Sequence, residues 1–155
     1  MRHASRVPEL RPLEQWYCDT CDEIIERATD GLLIHRVEAG RASAFKIVHA
    51  GCDDPECKEK HPLKDWVGPK GLAQLLGLLD PGVHHLPTFE GPKVADVREW
   101  VDLVRRLQLP HYEEARISWE DAEAGFFKDV TPDRIHASDY LLRMILHFEA
   151  QDAAT

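Results

Sequence analysis

No apolar run of about eighteen residues, the length a membrane-spanning helix needs, occurs in this chain of 155 residues. Met1 to Gln15 holds three arginines and two prolines and lacks the apolar stretch of a signal peptide. A soluble, cytoplasmic protein without membrane contact is the expectation. Catalytic signatures are missing too. There is no Gly-rich phosphate loop, no His-Glu-x-x-His, no nucleophile elbow and no paired-carboxylate motif with supporting sequence. A non-enzymatic role is therefore expected. Internal repeats and low-complexity tracts are absent as well. Cysteine is scarce, four in all, and in a reducing compartment those four are read as thiols or metal ligands before disulfides.

What is present is a globular balance: 43% apolar residues and 30% charged. The length suits one ordinary domain, or a small metal-stapled module fused to a compact helical one. The net charge is −9, and residues 110–155 carry most of it, with ten acidic side chains against four basic ones. Such a surface repels phosphate backbones, so general nucleic-acid binding is disfavoured and a basic protein partner is easier to accommodate.

Two strand-like runs, Gly31 to Val37 and Ala44 to His49, flank Glu38 to Ser43 and predict a β-hairpin with a Gly-containing turn. From Gly68 the period changes. Leu72, Leu75, Leu76 and Leu79 make one apolar stripe, Pro69 suits a first turn, and Asp80-Pro81-Gly82 is a stop, so a helix is predicted over about 69–79. Val94, Val97, Val101, Val104 and Leu107 predict a second helix ending before Pro110. A third is expected over 111–124 with Gly125 as its stop. A fourth follows Ser138, with Leu141, Leu142, Ile145, Leu146 and Phe148 on its buried face. The stretch from Pro81 to Lys93 reads as a short linker.

Cys18-Asp19-Thr20-Cys21 separates two thiols by two residues, the spacing at which a tight turn can direct both sulfurs at one ion. His49-Ala50-Gly51-Cys52 repeats the gap after the hairpin, and Cys57 and His61 follow within reach. Paired ligands at each base of a hairpin resemble a zinc ribbon or zinc knuckle, over residues 16–57 alone. The resemblance implies a structural zinc ion. The chain departs from the usual pattern by placing His49 where a third cysteine would stand, which still leaves an accepted three-cysteine, one-histidine set. Cys18, Cys21 and His49 are candidate ligands, with Cys52 or Cys57 as the fourth; Cys52 and Cys57 together would make an all-cysteine site and release His49. A module of this size buries too little core to fold alone, so the ion would contribute folding energy.

Other groups carry weaker signals. His84, His85 and Glu90 are the residues an enzyme would use here. Arg2, Arg6, Arg11, Arg36, Arg41 and Lys46 are those from which a local nucleic-acid patch would be built. Trp16, ahead of Cys18, is expected to pack over the metal knuckle. Glu113, Glu114, Glu120, Asp121 and Glu123 read as a solvated helix face, and Arg98, Arg105 and Arg106 as intrahelical partners of nearby acids.

The expected fold is α+β: a zinc-stapled hairpin module at 16–67 packed on an acidic helical domain of about four helices at 68–155. The expected function is that of a cytoplasmic accessory or regulatory protein that binds a protein partner. The rival readings are a zinc-ribbon-type nucleic-acid-binding protein and an enzyme using His84, His85 or Glu90.

Overall fold

The apolar run that begins at Gly31 lies in the central feature, a three-stranded antiparallel sheet. A computed structural model describes residues 8–80, 82 and 91–154. Most of the linker, with His84, His85 and Glu90, lies outside them, as do Arg2 and Arg6. Strands β3 (Gly31–Glu38) and β4 (Arg41–His49) form the hairpin, and β5 (Glu59–Pro62) pairs with the other edge of β3, giving the order β4-β3-β5. The turn is tighter than the sequence suggests. Only Ala39 and Gly40 connect the strands, both at positive φ, as a twisted two-residue hairpin turn requires.

The register slips between Ile34 and Arg36, where Ala44 adopts φ 55° and bulges out of β4. Next to the bulge, the Phe45 N–H donates to Glu99 Oε1 at 2.7 Å, a link from the sheet to a helix. A second, two-stranded sheet lies ahead of the hairpin: β1 (Trp16–Tyr17) pairs antiparallel with β2 (Ile24–Ile25). The Cys18 to Glu23 loop between them carries Cys18 and Cys21.

Helices α1 (Gly68–Leu79) and α2 (Val97–Gln108) pack on this β structure. Trp16, Ile25, Leu33, Ile34, Ile47, Val48, Leu63, Leu75, Trp100 and Leu107 form one core that draws on both sides of position 67. Each such fully buried side chain contributes about 1.5–3 kcal/mol. The buried faces differ from the predicted stripes. On α1 it is Gly71 and Leu75 that are buried, while Leu72 and Leu76 face outward. On α2 the buried residues are Trp100, Leu103, Arg106 and Leu107, whereas Val97 is exposed and Val94 precedes the helix, bridging to Ala42. Asp96 caps α2 by accepting from the Arg98 and Glu99 N–H groups.

The predicted third helix is broken into α3 (Tyr112–Ala115), a 3-10 turn at Arg116–Ser118, and α4 (Trp119–Glu123). With α5 (Ser138–Ala154) these pieces enclose a second core of Tyr112, Ala115, Ala122, Leu141, Met144 and Ile145. Tyr112 closes it from the α2 side by donating its hydroxyl to Asp102 Oδ1 at 2.5 Å.

Gly71 is needed for a close approach: a Cβ there would stand well inside van der Waals contact with the Trp66 backbone carbonyl. Backbone cannot step aside as a flexible side chain can. Gly71→Ala is therefore expected to destabilise the protein by about 1–3 kcal/mol, read as a lower midpoint in urea unfolding; an unchanged midpoint would show that α1 sits differently on Trp66.

Candidate metal centre

Each half of the candidate site is shaped by backbone hydrogen bonds before any side chain is considered. In the first half, the Cys18 N–H donates to Glu23 O at 2.9 Å and the Asp22 N–H to Cys18 O at 2.9 Å, which curls the loop between β1 and β2 around Cys18. In the second, the Cys52 N–H donates to His49 O at 2.9 Å, closing the turn that follows β4. The halves meet because Asp19 behaves as an extra strand residue. Its N–H donates to Ile47 O at 2.8 Å, and its carboxylate Oδ2 accepts the Ile47 N–H at 2.8 Å.

As a result, the ligand atoms of Cys18, Cys21, His49 and Cys52 all lie within 4.8 Å of one another, a group that can hold a metal ion. Cys18 is buried, His49 and Cys52 are half-buried and Cys21 is exposed, so the group sits at the surface with one side in the core. None of the four cysteines is in a disulfide. Cys57 stands apart. It is buried, and its Sγ–H points to Ala44 O at 3.7 Å, beside the β4 bulge. His61 is elsewhere again, stacked on His35 at 5.3 Å between ring centres.

The histidine is oriented for ligation. His49 Nε2 lies 3.1 Å from Ile24 O, a bond it makes as the N–H donor, which leaves the Nδ1 lone pair facing Cys21 Sγ at 3.4 Å and Cys52 Sγ at 4.0 Å. A backbone carbonyl on the outer nitrogen is the usual partner of a metal-bound imidazole.

Electrostatics in the group are strained without a cation. Burial pushes the Cys18 thiol up, but N–H groups from Cys21, His49 and Thr20 more than offset this and bring it well below the ordinary thiol range. The Cys52 thiol is pushed up, first because it donates toward Cys21 and further because Cys18 carries charge beside it. Burial lowers the proton affinity of His49, yet the neighbouring Cys18 sulfur and Ile24 carbonyl outweigh it and raise the pKa. Three sulfurs this close cannot all be thiolates in the absence of a positive ion, and a bound divalent metal would remove that conflict.

The Cys18 to Glu23 loop is also joined to the helices. Asp19 Oδ2 accepts from Arg106 Nη1 at 2.8 Å. Arg106, only 4% exposed, also donates to both carboxylate oxygens of Glu113, at 2.7 and 2.8 Å. Glu113 Oε1 in turn accepts the Tyr17 N–H at 3.1 Å, and Trp16 Nε1 donates to Arg106 O at 3.1 Å. Arg106 and Glu113 are thus buried, not the solvated helix residues predicted. The signal was present: position 106 follows Trp100 and Leu103 at the spacing that keeps one helix face inward.

Replacing Cys18, Cys21 or Cys52 by Ser, or His49 by Ala, is expected to lower the metal content of the purified protein from about one ion per chain, the stoichiometry of a single structural site. Cys57→Ser is expected to leave it unchanged. Elemental analysis of the five variants measures this, and equal loss in Cys52→Ser and Cys57→Ser with none in His49→Ala would mean an all-cysteine site. Comparison of the chain with models of known protein families, with curated proteins and with solved structures gave no match.

Proposed function

We propose that the metal is zinc in a structural role, and that the chain is a non-enzymatic accessory protein that acts by binding a protein partner bearing basic side chains. The carrying observation is the convergence of three sulfurs and one imidazole nitrogen within 4.8 Å. Soft thiolates with one imidazole suit zinc, and four protein ligands complete its tetrahedral shell, leaving no position for a substrate or reactive water.

The preference for a basic partner is supported by a cleft of about 140 Å³ beside α5, where Glu9, Glu114 and Glu149 stand over an apolar floor that includes Ile117, Ile145 and Phe148. Oε2 of Glu114 and Oε2 of Glu149 are both buried and accept no hydrogen bond among the described residues. Burial, with a smaller contribution from the Glu149 charge, raises Glu114 to about 7, while the Leu10 N–H bond at 2.8 Å opposes the shift. A lysine or arginine would lay its methylene stem on the floor and its charge against these oxygens. On the opposing side, three of the basic residues from which a nucleic-acid patch would be built are engaged: Arg11 pairs with Glu14, Arg36 with Glu56 and Lys46 with Asp54. No helix among the described residues is long and apolar enough to cross a membrane.

In pull-downs from native lysate, the protein is expected to retain a protein partner that is lost on Glu149→Lys and released as salt is raised to about 0.5 M, where surface charge is screened. Recovery of nucleic acid in place of protein, or equal retention by the wild type and Glu149→Lys, would overturn this reading.

A further inference from the structure

Against a chain of net charge −9, one cavity stands out by its opposite sign. It measures about 510 Å³ and lies between the irregular segment after α4 and the start of α5. Lys128, Arg134 and Arg143 line it, and Phe126, Tyr140 and Val130 supply its apolar wall. Its size falls within the range of small-molecule sites. We infer that this cavity binds a small phosphate-bearing ligand with a planar ring, of nucleotide size, through its three cationic side chains and its aromatic wall.

The wall is held in place from behind. Tyr140 is buried and donates its hydroxyl to Phe126 O at 3.3 Å, while the Phe126 ring meets the Tyr140, His147 and Phe148 rings at 5.5, 5.0 and 5.9 Å. The segment approaching α5 is fixed by successive turns, with Val130 N–H donating to Phe127 O, Arg134 N–H to Thr131 O and Ala137 N–H to Arg134 O. Lysine and arginine positions on this scaffold are therefore set by folded backbone, although the segment is neither helix nor strand.

The cations are incompletely neutralised. Arg134 shares its charge with Asp139 at 3.4 Å, in a pair whose two side chains are both largely exposed. The Arg143 guanidinium lies 5.2 Å from the centre of the Tyr140 ring. Neither Arg143 nor Lys128 has an ion-pair partner among the described residues, and Asp129 is the one carboxylate on the cavity lining. Three donors around one apolar wall match a phosphate group, which accepts forked hydrogen bonds from arginine, attached to a ring that stacks on aromatic or guanidinium planes.

The test uses the full-length protein at about 50 mM salt, titrated with ATP and, separately, with pyrophosphate, by calorimetry. Binding of ATP is expected, with affinity reduced about tenfold or more in Lys128→Gln and in Arg143→Gln, each of which removes one charge-assisted contact. Because both residues are exposed or on the outer helix face, the variants are expected to keep the native circular dichroism spectrum. Lys58→Gln, an exposed change of the same charge remote in sequence, is expected to bind as the wild type does. Weaker binding of pyrophosphate than of ATP supports the contribution of the aromatic wall. Absence of ATP binding up to about 1 mM, affinity unchanged in both cavity variants, or equal weakening by Lys58→Gln would overturn the inference.

Discussion

A buried arginine is costly unless its charge and donors find partners, and Arg106 places each of its three guanidinium nitrogens on an acceptor by drawing together segments far apart in sequence. From α2 it grips Glu113 of α3 with two parallel bonds, reaches Asp19 in the loop between β1 and β2 and approaches the Tyr17 carbonyl of β1. Glu113 completes the circle on the Tyr17 N–H. Removing one member would leave a charge uncompensated in the interior, at about 3–5 kcal/mol. The network thus makes the position of the Cys18 loop a condition for the packing of α2 and α3, and the reverse.

The candidate metal site and this network meet at Asp19. Its neighbours Cys18 and Cys21 are candidate ligands, while its own side chain joins Ile47 at the end of β4 to Arg106. A metal ion would hold the loop in the curl that presents Asp19, and the helices would hold Asp19 where the loop can meet His49 and Cys52. Each half of the proposed arrangement reduces the entropy cost of forming the other, which suits a β1–β2 sheet of two residues per strand that could not persist alone.

The parts of the fold legible in sequence were those signalled by local chemistry. Two strand-like runs around a Gly-containing turn marked the hairpin, paired spacing marked Cys18, Cys21, His49 and Cys52, and Ser138 marked the start of α5. Which helix face turns inward was less legible. Val97, Val101, Val104 and Leu107 offered one stripe on α2, Trp100, Leu103 and Leu107 another, and the larger side chains took the core because they remove more apolar area from water. Strands β1, β2 and β5 carry two to four residues each, too few to show a period. Spacing favoured Cys52 slightly, because its two-residue gap from His49 mirrors the first pair, yet left Cys57 within reach. In the structure Cys57 turns into the core, with its Sγ–H against Ala44 O beside the β4 bulge.

Hydrogen exchange on the metal-loaded and chelator-stripped protein tests most directly whether one ion supports both halves. Stripping is expected to raise exchange in β1, β2 and the Cys18 to Glu23 loop, and together with them at the Arg106 end of α2 and in α3, which are tied to that loop through Asp19 and Glu113. Unchanged protection throughout residues 16–57 after removal of the metal would contradict it.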